Sequence, residues 1–274
     1  MKEDLFDLAG KVAIVTGGAG MLGKEYCRAF AEASVHVVVA DLRGGAAKDY
    51  AHQISSKKHP KAIGVETDVT DKMSVQAMVT RTLDEFGRID ILVNNAALDP
   101  KFDTEHASEH TNTFEDYPLE LWNESVAVDL TGMFLCSQAV ARPMLEQKSG
   151  VIINICSTYG VVGPDQRLYE KDDPTQQRTY KPITYSVTKS AVLGLTRYLA
   201  TYWAGKNIRV NALTLGGVFN EHDDEFVRRY SYRTPLGRMA EKSEYCGALL
   251  FVASDAASYM TGANLVVDGG WTAW

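Results

Sequence analysis

The sequence predicts an α/β fold in which helices cover both faces of a single doubly wound parallel sheet. Short β-branched runs such as "KVAIVTGG" and "VHVVVAD" alternate with longer segments of helical period such as "GKEYCRAFAEAS". The short runs are apolar without a polar alternation, which is typical of strands buried on both faces of a parallel sheet. Right-handed crossovers between such strands place helices on both faces.

The elements follow in order along the chain. Apolar β-branched runs predict seven strands: "KVAIVTGG", "VHVVVAD", "KAIGVETDV", "IDILVNNAA", "GVIINICS", "NIRVNALTL" and "ANLVVDGG". Helical period predicts the intervening helices: "GKEYCRAFAEAS", "GGAAKDYAHQISSK", "DKMSVQAMVTRTLDEFG", about Leu119 to Gln147, "YSVTKSAVLGLTRYLATYWA" and "EKSEYCGALLFVASDAAS". Asp71 is the expected cap of the third helix.

The bulk properties predict one domain over residues 1–274, because the chain has no repeat, linker or low-complexity segment. A net charge of −7 without a basic block counts against a nucleic-acid partner. No signal peptide and no apolar stretch of membrane-spanning length is present, so we expect a cytoplasmic protein without a membrane partner. The four cysteines are scattered, which predicts free thiols.

A glycine-rich turn, "TGGAGMLG", joins the first strand to the first helix. Glycines let the backbone approach a pyrophosphate closely, and the helix N-terminus offers unpaired N–H groups and a positive dipole end. Gly17, Gly20, Met21 and Leu22 are therefore candidate cofactor-binding residues. A tight strand–helix connection without a ligand is the structural alternative for this turn alone.

Asp41 ends the second strand about twenty residues after the turn. A carboxylate at this position accepts hydrogen bonds from an adenosine ribose diol and repels a 2′-phosphate, so Asp41 favours NAD over NADP. Asp41 and its neighbour Leu42 are candidate cofactor-binding residues. Arg43, two residues on, leaves NADP open as the alternative.

Ordered motifs give the chain a resemblance to the short-chain dehydrogenase/reductase family, over about Leu8 to Gly270. The motifs are "TGGAGMLG", "DV", "NNAA", "NICS", "YSVTK", "IRVNALTLGG" and "MTGANLVVDGG". The resemblance implies a Rossmann fold with a bound dinucleotide. It also implies that Asp68 and Val69 border the adenine, that Asn94 supports the ribose side, and that Val218 offers its backbone to the nicotinamide.

Tyr185 and Lys189 are i and i+4 on a predicted helix, so they share one face. Carbonyl–alcohol chemistry needs a group that gives or takes a proton, and free tyrosine, with a pKa of about 10, is a poor base near neutrality. A nearby ammonium favours the phenolate. By the resemblance, Lys189 also holds the nicotinamide ribose, and Ser157 binds the reacting oxygen. Tyr185 and Lys189 are thus both catalytic and cofactor-binding candidates.

Three departures from the family pattern concern the site. Leu215–Gly216 stands where the family carries proline–glycine after the sixth strand. Met21 replaces the middle glycine of the usual phosphate turn, and Asp129 stands where the family carries an asparagine at a helix kink. In the family a backbone carbonyl at that kink anchors a proton-relay water, so Asp129 need not abolish activity. Two alternative roles for its carboxylate are participation in the proton relay and stabilisation of the charge on Lys189.

Three polar insertions interrupt the pattern near 98–118, 163–184 and 217–238, and all lie on the expected active-site rim. A loop of the length of 163–184 inside a compact domain is more often functional than idle, although a solvated loop is the alternative. Arg167, Tyr159 and Arg178 are the candidate substrate contacts. No metal is expected, because His106 and His110 have no third ligand placed beside them.

The polar rim predicts a sugar, sugar acid or sugar phosphate rather than a lipid. The chain is also similar to oxidoreductases of bacterial flagellin-glycan and surface-sugar clusters and, more loosely, to gluconate-type dehydrogenases. The leading hypothesis is an NAD-dependent dehydrogenase of a carbohydrate alcohol. The alternatives are a catalytically silent NAD(H)-binding sensor or scaffold, and a sugar epimerase-like enzyme with bound NAD. The resemblance implies a homotetramer.

Overall fold

The protein is described here by a computed structural model, which covers residues 4–55, 60–98, 112–170 and 180–274. Its strands are β1 (Val12–Thr16), β2 (His36–Asp41), β3 (Ala62–Glu66), β4 (Ile91–Asn94), β5 (Gly150–Ser157), β6 (Ile208–Leu215) and β7 (Asn264–Val267). They form one parallel sheet in the order β3-β2-β1-β4-β5-β6-β7. The predicted doubly wound α/β fold is confirmed.

The helices of the described residues are α1 (Met21–Glu32), α2 (Gly44–Ile54), α3 (Lys72–Phe86), α4 (Leu119–Val126), α5 (Gly132–Gln147), α6 (Ile183–Tyr202), α7 (Asp224–Arg233) and α8 (Cys246–Ala253). The cap predicted at Asp71 is confirmed, since its Oδ1 accepts from the Met73 N–H at 2.8 Å. A π-helical turn, Ala127–Thr131, joins α4 to α5 within the long helix predicted from about Leu119 to Gln147.

Helix α7 was not predicted, because its segment was assigned to a polar rim insertion. Its N-terminal signal is nevertheless present in the sequence. Asp223 caps the helix by accepting from the Phe226 N–H at 2.9 Å, and Asp224 and Glu225 occupy the first turn. Acidic residues there and Arg233 in the last turn complement the helix dipole.

The core has two layers because strand side chains alternate between the faces of the sheet. On β1, Ala13 and Val15 pack in a cluster with α1, α2 and α8. Ile14 packs in a second cluster with α3, α5 and the end of α6. Every residue of β1 is buried, which is why the strand carries no polar alternation.

The carboxyl ends of β1 and β4, which are neighbours in the sheet, mark the point where the strand order reverses. Open α/β sheets bind ligands in the crevice outside such a point. All four cysteines, at positions 27, 136, 156 and 246, are free thiols, as expected. Within the ranges described, no helix is both long and apolar enough to cross a membrane.

Candidate active site

The glycine-rich turn after β1 leaves no space for side chains. Gly17 has a φ of +61°, and a Cβ placed on it would lie 2.9 Å from the Ala96 Cα. A Cβ on Gly23 would lie 2.1 Å from the carbonyl oxygen of Gly17. Gly20 precedes α1 without a side-chain cap, so Met21 opens the helix and the first-turn N–H groups remain for a ligand.

The two asparagines at the end of β4 serve different purposes. Asn94 is buried, and its Nδ2 donates to Asn154 Oδ1 at 2.8 Å. Asn95 lines a cleft at the sheet's edge, and its Nδ2 donates to the carbonyls of Thr16 at 2.9 Å and Gly17 at 3.2 Å. The motif predicted a role for Asn94, whereas Asn95 is the residue that ties the glycine turn to β4. Successive side chains of a strand point in opposite directions, so the sequence pattern could have indicated that only one of these two asparagines lies in the cleft.

Asp41 joins the end of β2 to the glycine turn. It is buried, and its Oδ2 accepts from the Ala19 N–H at 3.0 Å. Its Oδ1 accepts from the Arg43 N–H at 3.1 Å and from Arg43 Nε at 3.3 Å. The exposed guanidinium of Arg43 also donates to the Ala19 carbonyl at 3.2 Å, and Leu42 is exposed beside it. A carboxylate and a cation therefore meet beside the glycine turn, at the end of β2.

Asp68 and Val69 follow β3 at the same edge of the sheet. The Asp68 Oδ1 accepts from the Thr70 N–H at 2.8 Å and from the Thr70 hydroxyl at 2.7 Å. Its own N–H donates to Ser74 Oγ at 2.9 Å, which fixes the turn into α3. Val69 is buried against Gly132, where an added Cβ would lie 2.8 Å from a Val69 methyl group.

Ser157, Tyr185 and Lys189 line one cleft of about 620 Å³. Ser157 ends β5, and its Oγ accepts from the Tyr159 N–H at 3.3 Å. Lys189 is buried, and its Nζ donates to the Ile155 carbonyl at 3.3 Å, 5.8 Å from the centre of the Tyr185 ring. A phenol, an ammonium and a hydroxyl thus meet beyond the carboxyl end of β5.

Asp129 lies in the π-helical turn and is fully buried. Its Oδ1 accepts from the Leu98 N–H at 2.7 Å, and its Oδ2 accepts from the Thr188 hydroxyl at 3.0 Å. The Thr184 carbonyl lies 2.8 Å from the same hydroxyl, so the single Thr188 hydroxyl hydrogen is shared between the two acceptors. The carboxylate therefore links the segment after β4 to the turn of α6 that carries Lys189.

Aromatic side chains form one wall of the cleft. Tyr159 meets the Tyr185 ring edge to face, with 6.4 Å between centroids and an interplanar angle of 83°. The Tyr169 hydroxyl donates to the Tyr159 hydroxyl at 3.2 Å, and the Tyr169 ring packs 5.4 Å from Phe226. This wall combines apolar ring surface with phenolic groups that form hydrogen bonds.

The segment after β6 also contributes to the cleft lining. Val218 lines the cleft and pairs with Ala240 in an isolated parallel bridge. The Tyr230 hydroxyl accepts from the Gly217 N–H at 2.5 Å, and its ring stacks on Trp271 at 4.1 Å. Burial raises the pKa of Tyr230 well above its ordinary value, so this phenol stays protonated as a structural group.

The chain matches the family described as "short chain dehydrogenase" over residues 11–169. It belongs to the short-chain dehydrogenase/reductase family. The family described as "Enoyl-(Acyl carrier protein) reductase" matches residues 175–272.

Relatives of this short-chain dehydrogenase include enzymes named for polyols. It is 34% identical to D-threitol dehydrogenase of Mycolicibacterium smegmatis, over 97% of this chain and 95% of that protein. It is also 34% identical to galactitol 2-dehydrogenase (L-tagatose-forming) of Cereibacter sphaeroides, over 98% of both chains. A solved gluconate 5-dehydrogenase of Burkholderia cenocepacia, in complex with NADP and tartrate, superposes with a TM-score of 0.86 at 30% identity, over 99% and 98% of the chains.

The family's nicotinamide dinucleotide fits the residues present. A Cβ at Gly17 would overlap the backbone of Ala96, and a Cβ at Gly23 would overlap the turn itself, so the turn presents bare backbone, and the N-terminus of α1 carries no side-chain cap. Gly17, Gly20, Met21 and Leu22 would hold the phosphates, with Met21 and Leu22 also lining the cleft. The predicted turn and the predicted reacting groups therefore border the same cleft of this short-chain dehydrogenase.

Residues 163–170, at the start of the 163–184 insertion, are bound to α7 by ion pairs and hydrogen bonds. Asp165 accepts from Arg167 Nη2 at 2.7 Å and from Arg233 Nη1 at 2.6 Å. The pKa of Asp165 is lowered to about 2. The hydrogen bond from the Arg167 guanidinium is the largest cause, and the Arg167 backbone N–H and the charge of Arg233 contribute less. Arg229 of α7 donates to the carbonyls of Arg167 and Glu170. The insertion and α7 therefore form one rim beside the cleft.

Residues 180–184, at the end of the insertion, lead from the cleft into α6. Lys181 lines the cleft, and its Nζ lies 3.9 Å from the centre of the Tyr185 ring. Lys181 is not among the site residues predicted from the sequence. Its signal was modest, namely a cation four residues before Tyr185, just ahead of the helix start at Ile183.

The predicted substrate residues separate in the structure. Tyr159 lines the cleft, whereas Arg167 lies on a separate surface cavity with Arg228, Arg233 and Trp274 and is bound to Asp165. Arg178, like His106 and His110, lies outside the described residues. Among the residues that the structure describes, no group of three or more His, Cys, Asp or Glu side chains could hold a metal ion.

Proposed function

We propose that this short-chain dehydrogenase uses NAD to interconvert a secondary alcohol and a ketone on a polar, carbohydrate-like substrate. The observation that carries the proposal is the meeting of Ser157, Tyr185 and Lys189 in one cleft beside the glycine turn. A complete proton-transfer group next to a dinucleotide cradle favours catalysis over a silent binding role.

The chemistry follows from these side chains. The hydride at the reacting carbon would be exchanged with a nicotinamide held by the glycine turn. The Ser157 hydroxyl donates a hydrogen bond to the substrate oxygen and holds it near Tyr185. The Tyr185 phenolate takes the alcohol proton in oxidation, and the phenol returns it in reduction. The Lys189 ammonium, buried and held by the Ile155 carbonyl, favours the phenolate by its positive charge.

The preference for NAD rests on Asp41. Its buried carboxylate lies at the end of β2 against the glycine turn and repels a 2′-phosphate. Arg43 offsets part of this charge, since it pairs with the same carboxylate at 3.3 Å. We therefore expect a preference for NAD rather than absolute exclusion of NADP.

The carbohydrate class rests on the cleft and on the relatives. Its lining includes hydrogen-bonding groups from several segments: Asn95, Ser157, Tyr159, Tyr169, Lys181, Asn220 and His222. Such groups recognise hydroxyls and carboxylates. The relatives named for D-threitol and galactitol, and the neighbour that binds tartrate, have polyhydroxylated ligands of this kind.

The test is a panel of polyols, sugars, sugar acids and sugar phosphates, followed by NADH or NADPH absorbance with both nucleotides in parallel. We expect turnover with at least one polyhydroxylated compound. Tyr185→Phe should lower turnover by about 10²–10⁴-fold while NAD binding, measured by calorimetry, persists. Tyr259→Phe, a matched change at a fully exposed tyrosine outside the cleft, should leave turnover unchanged. Undiminished turnover in Tyr185→Phe, or activity restricted to apolar alcohols, would contradict the proposal.

We also propose a homotetramer. Its support is an exposed aromatic surface on α5 and α6, where Phe134, Tyr198 and Tyr202 are 47%, 62% and 66% exposed. Contiguous exposed apolar area of this kind marks association surfaces. Light scattering coupled to size exclusion should give four times the chain mass, and Tyr198→Glu with Tyr202→Glu should give a smaller species. A wild-type monomer at micromolar concentration would contradict the proposal.

A further inference from the structure

Among the residues that the structure describes, two cations lie near the ring of Tyr185. The Lys181 Nζ lies 3.9 Å from the ring centroid, closer than the Lys189 Nζ at 5.8 Å. Resting on the role of Tyr185 in the proposed function, we propose that Lys181 is a second cation that stabilises the phenolate of Tyr185. Lys181 then tunes proton transfer from the 163–184 insertion, without itself bonding to the reacting atoms.

The physical basis is a difference between two states of the ring. A cation over the face of a neutral phenol is attracted by the ring quadrupole. When the phenol ionises, its negative charge spreads over the ring, and the same cation then faces a net charge. The ammonium of Lys181 therefore binds the ionised ring more tightly than the neutral one. By linkage, this preference lowers the pH at which Tyr185 loses its proton.

The position of Lys181 is fixed by the fold. Its N–H donates to Gln166 Oε1 at 2.9 Å, and its carbonyl accepts from Gln166 Nε2 at 3.4 Å. Pro182, with a φ of −56°, follows at once and leads into α6. The backbone of Lys181 is thus held on one side by the start of the insertion and on the other by the helix that carries Tyr185.

Other titratable groups also face Tyr185 or the turns of α6 that hold it. From the segments packed there, they are Lys189, Tyr117, Asp129, Cys156, Tyr159, Tyr169, His222, Asp223 and Tyr230. Asp223 is the carboxylate of the cleft lining, and it caps α7 by accepting from the Phe226 N–H. Lys181 variants carry the same set of these groups, so a comparison of the variants with one another tests the charge at position 181.

The first test is the pH dependence of kcat/KM for alcohol oxidation at saturating cofactor, with the best substrate of the panel. In Lys181→Met, the midpoint of the rising limb should move to higher pH by about one unit, at the low end of the effect of a nearby charge. At pH values below both midpoints, kcat/KM of the variant should be about tenfold lower than that of the wild type, and at pH values above both midpoints the two should be equal. Lys181→Arg keeps the charge and should keep the midpoint within a few tenths of a unit.

The second test needs neither substrate nor cofactor. Protein labelled with ¹³C at the tyrosine ζ carbon is titrated by NMR, and the Tyr185 signal is identified by its loss in Tyr185→Phe. Lys181→Met should raise the midpoint of that signal. Lys24→Met is the matched control, because the Lys24 Nζ lies 5.4 Å from the Tyr50 ring, and it should leave the Tyr185 signal unchanged.

Three outcomes would overturn the inference. One is a Lys181→Met midpoint equal to the wild type in the NMR titration. Another is a loss of activity by the same factor at every pH, which indicates a structural role. The third is a rise in KM confined to anionic substrates with an unchanged midpoint, which assigns Lys181 to substrate binding. If no panel compound is turned over, the proposed function fails, while the NMR titration still decides the role of Lys181.

Discussion

Gln166 holds the backbone of Lys181 from both sides, by accepting from its N–H at 2.9 Å and donating to its carbonyl at 3.4 Å. These two residues lie near opposite ends of the 163–184 insertion. The Gln166 side chain therefore connects the two ends of the insertion and holds the backbone of the lysine whose side chain contacts the Tyr185 ring.

Gln166→Leu tests this link. Without the amide, Lys181 samples positions away from the Tyr185 ring, so the pH midpoint of kcat/KM should rise by a fraction of the shift seen in Lys181→Met. Gln147 offers a matched control, because its side chain clamps the N–H and carbonyl of Ile89 at 2.9 Å and 2.8 Å, just before β4. Gln147→Leu should lower the urea midpoint of unfolding and leave the pH midpoint unchanged. Equal pH profiles for both variants would remove Gln166 from the mechanism.

Asp129→Asn should retain turnover within about tenfold of the wild type. The asparagine oxygen can still accept from the Leu98 N–H, and its amide can donate to Thr188 Oγ1, which keeps its bond to the Thr184 carbonyl. Asp129→Ala leaves the Leu98 N–H without the carboxylate that accepts from it and should lower the free energy of unfolding by about 1–3 kcal/mol. Steady-state rates and urea unfolding measure the two effects. A loss of several hundredfold in Asp129→Asn would assign the carboxylate a direct part in proton transfer.

Asp41→Asn should weaken discrimination against NADP. The change removes the charge that repels a 2′-phosphate and frees the Arg43 guanidinium from its ion pair at 3.3 Å. We expect the NAD/NADP ratio of kcat/KM to fall by at least about tenfold, because one unpaired charge contact is worth about that much. Arg43→Ala should move the ratio in the opposite direction. An unchanged ratio in Asp41→Asn would show that nucleotide choice lies elsewhere.

Asp165→Asn should lower stability in a pH-dependent way. Arg167 and Arg233 lower the pKa of Asp165 to about 2 in the folded chain, below its ordinary value of 3.8. A depressed carboxyl pKa stabilises the fold above the unfolded pKa, and this contribution is lost as the pH falls from about 4 toward 2. The wild type should exceed the variant by about 1 kcal/mol at neutral pH, after solvent screening of the exposed Arg167.

Urea unfolding at a series of pH values checks that gap, which should shrink below about pH 4. Asp49→Asn, at an exposed position on α2, is the control and should change stability by less than about 0.5 kcal/mol. A constant gap between wild type and Asp165→Asn across this pH range would contradict the electrostatic account.

Local patterns in the sequence determined the order of strands and helices, the glycine turn and the cap at Asp71. They succeed because strand burial, close backbone approach and helix capping each depend on residues a few positions apart. The spacing of Tyr185 and Lys189 belongs to the same class, since i and i+4 share a helix face in any helix. The π-helical turn at Ala127–Thr131 matches the kink that the resemblance implies for Asp129.

Only the tertiary structure decided which polar residues enter the cleft. Asn95 faces it while Asn94 turns into the core, because the end of β4 is set by its pairing with β1 and β5. Arg167 is held on the outer side by Asp165, whereas Lys181 reaches the Tyr185 ring. The positions of these side chains depend on contacts between distant parts of the chain, so no short stretch of sequence determines them.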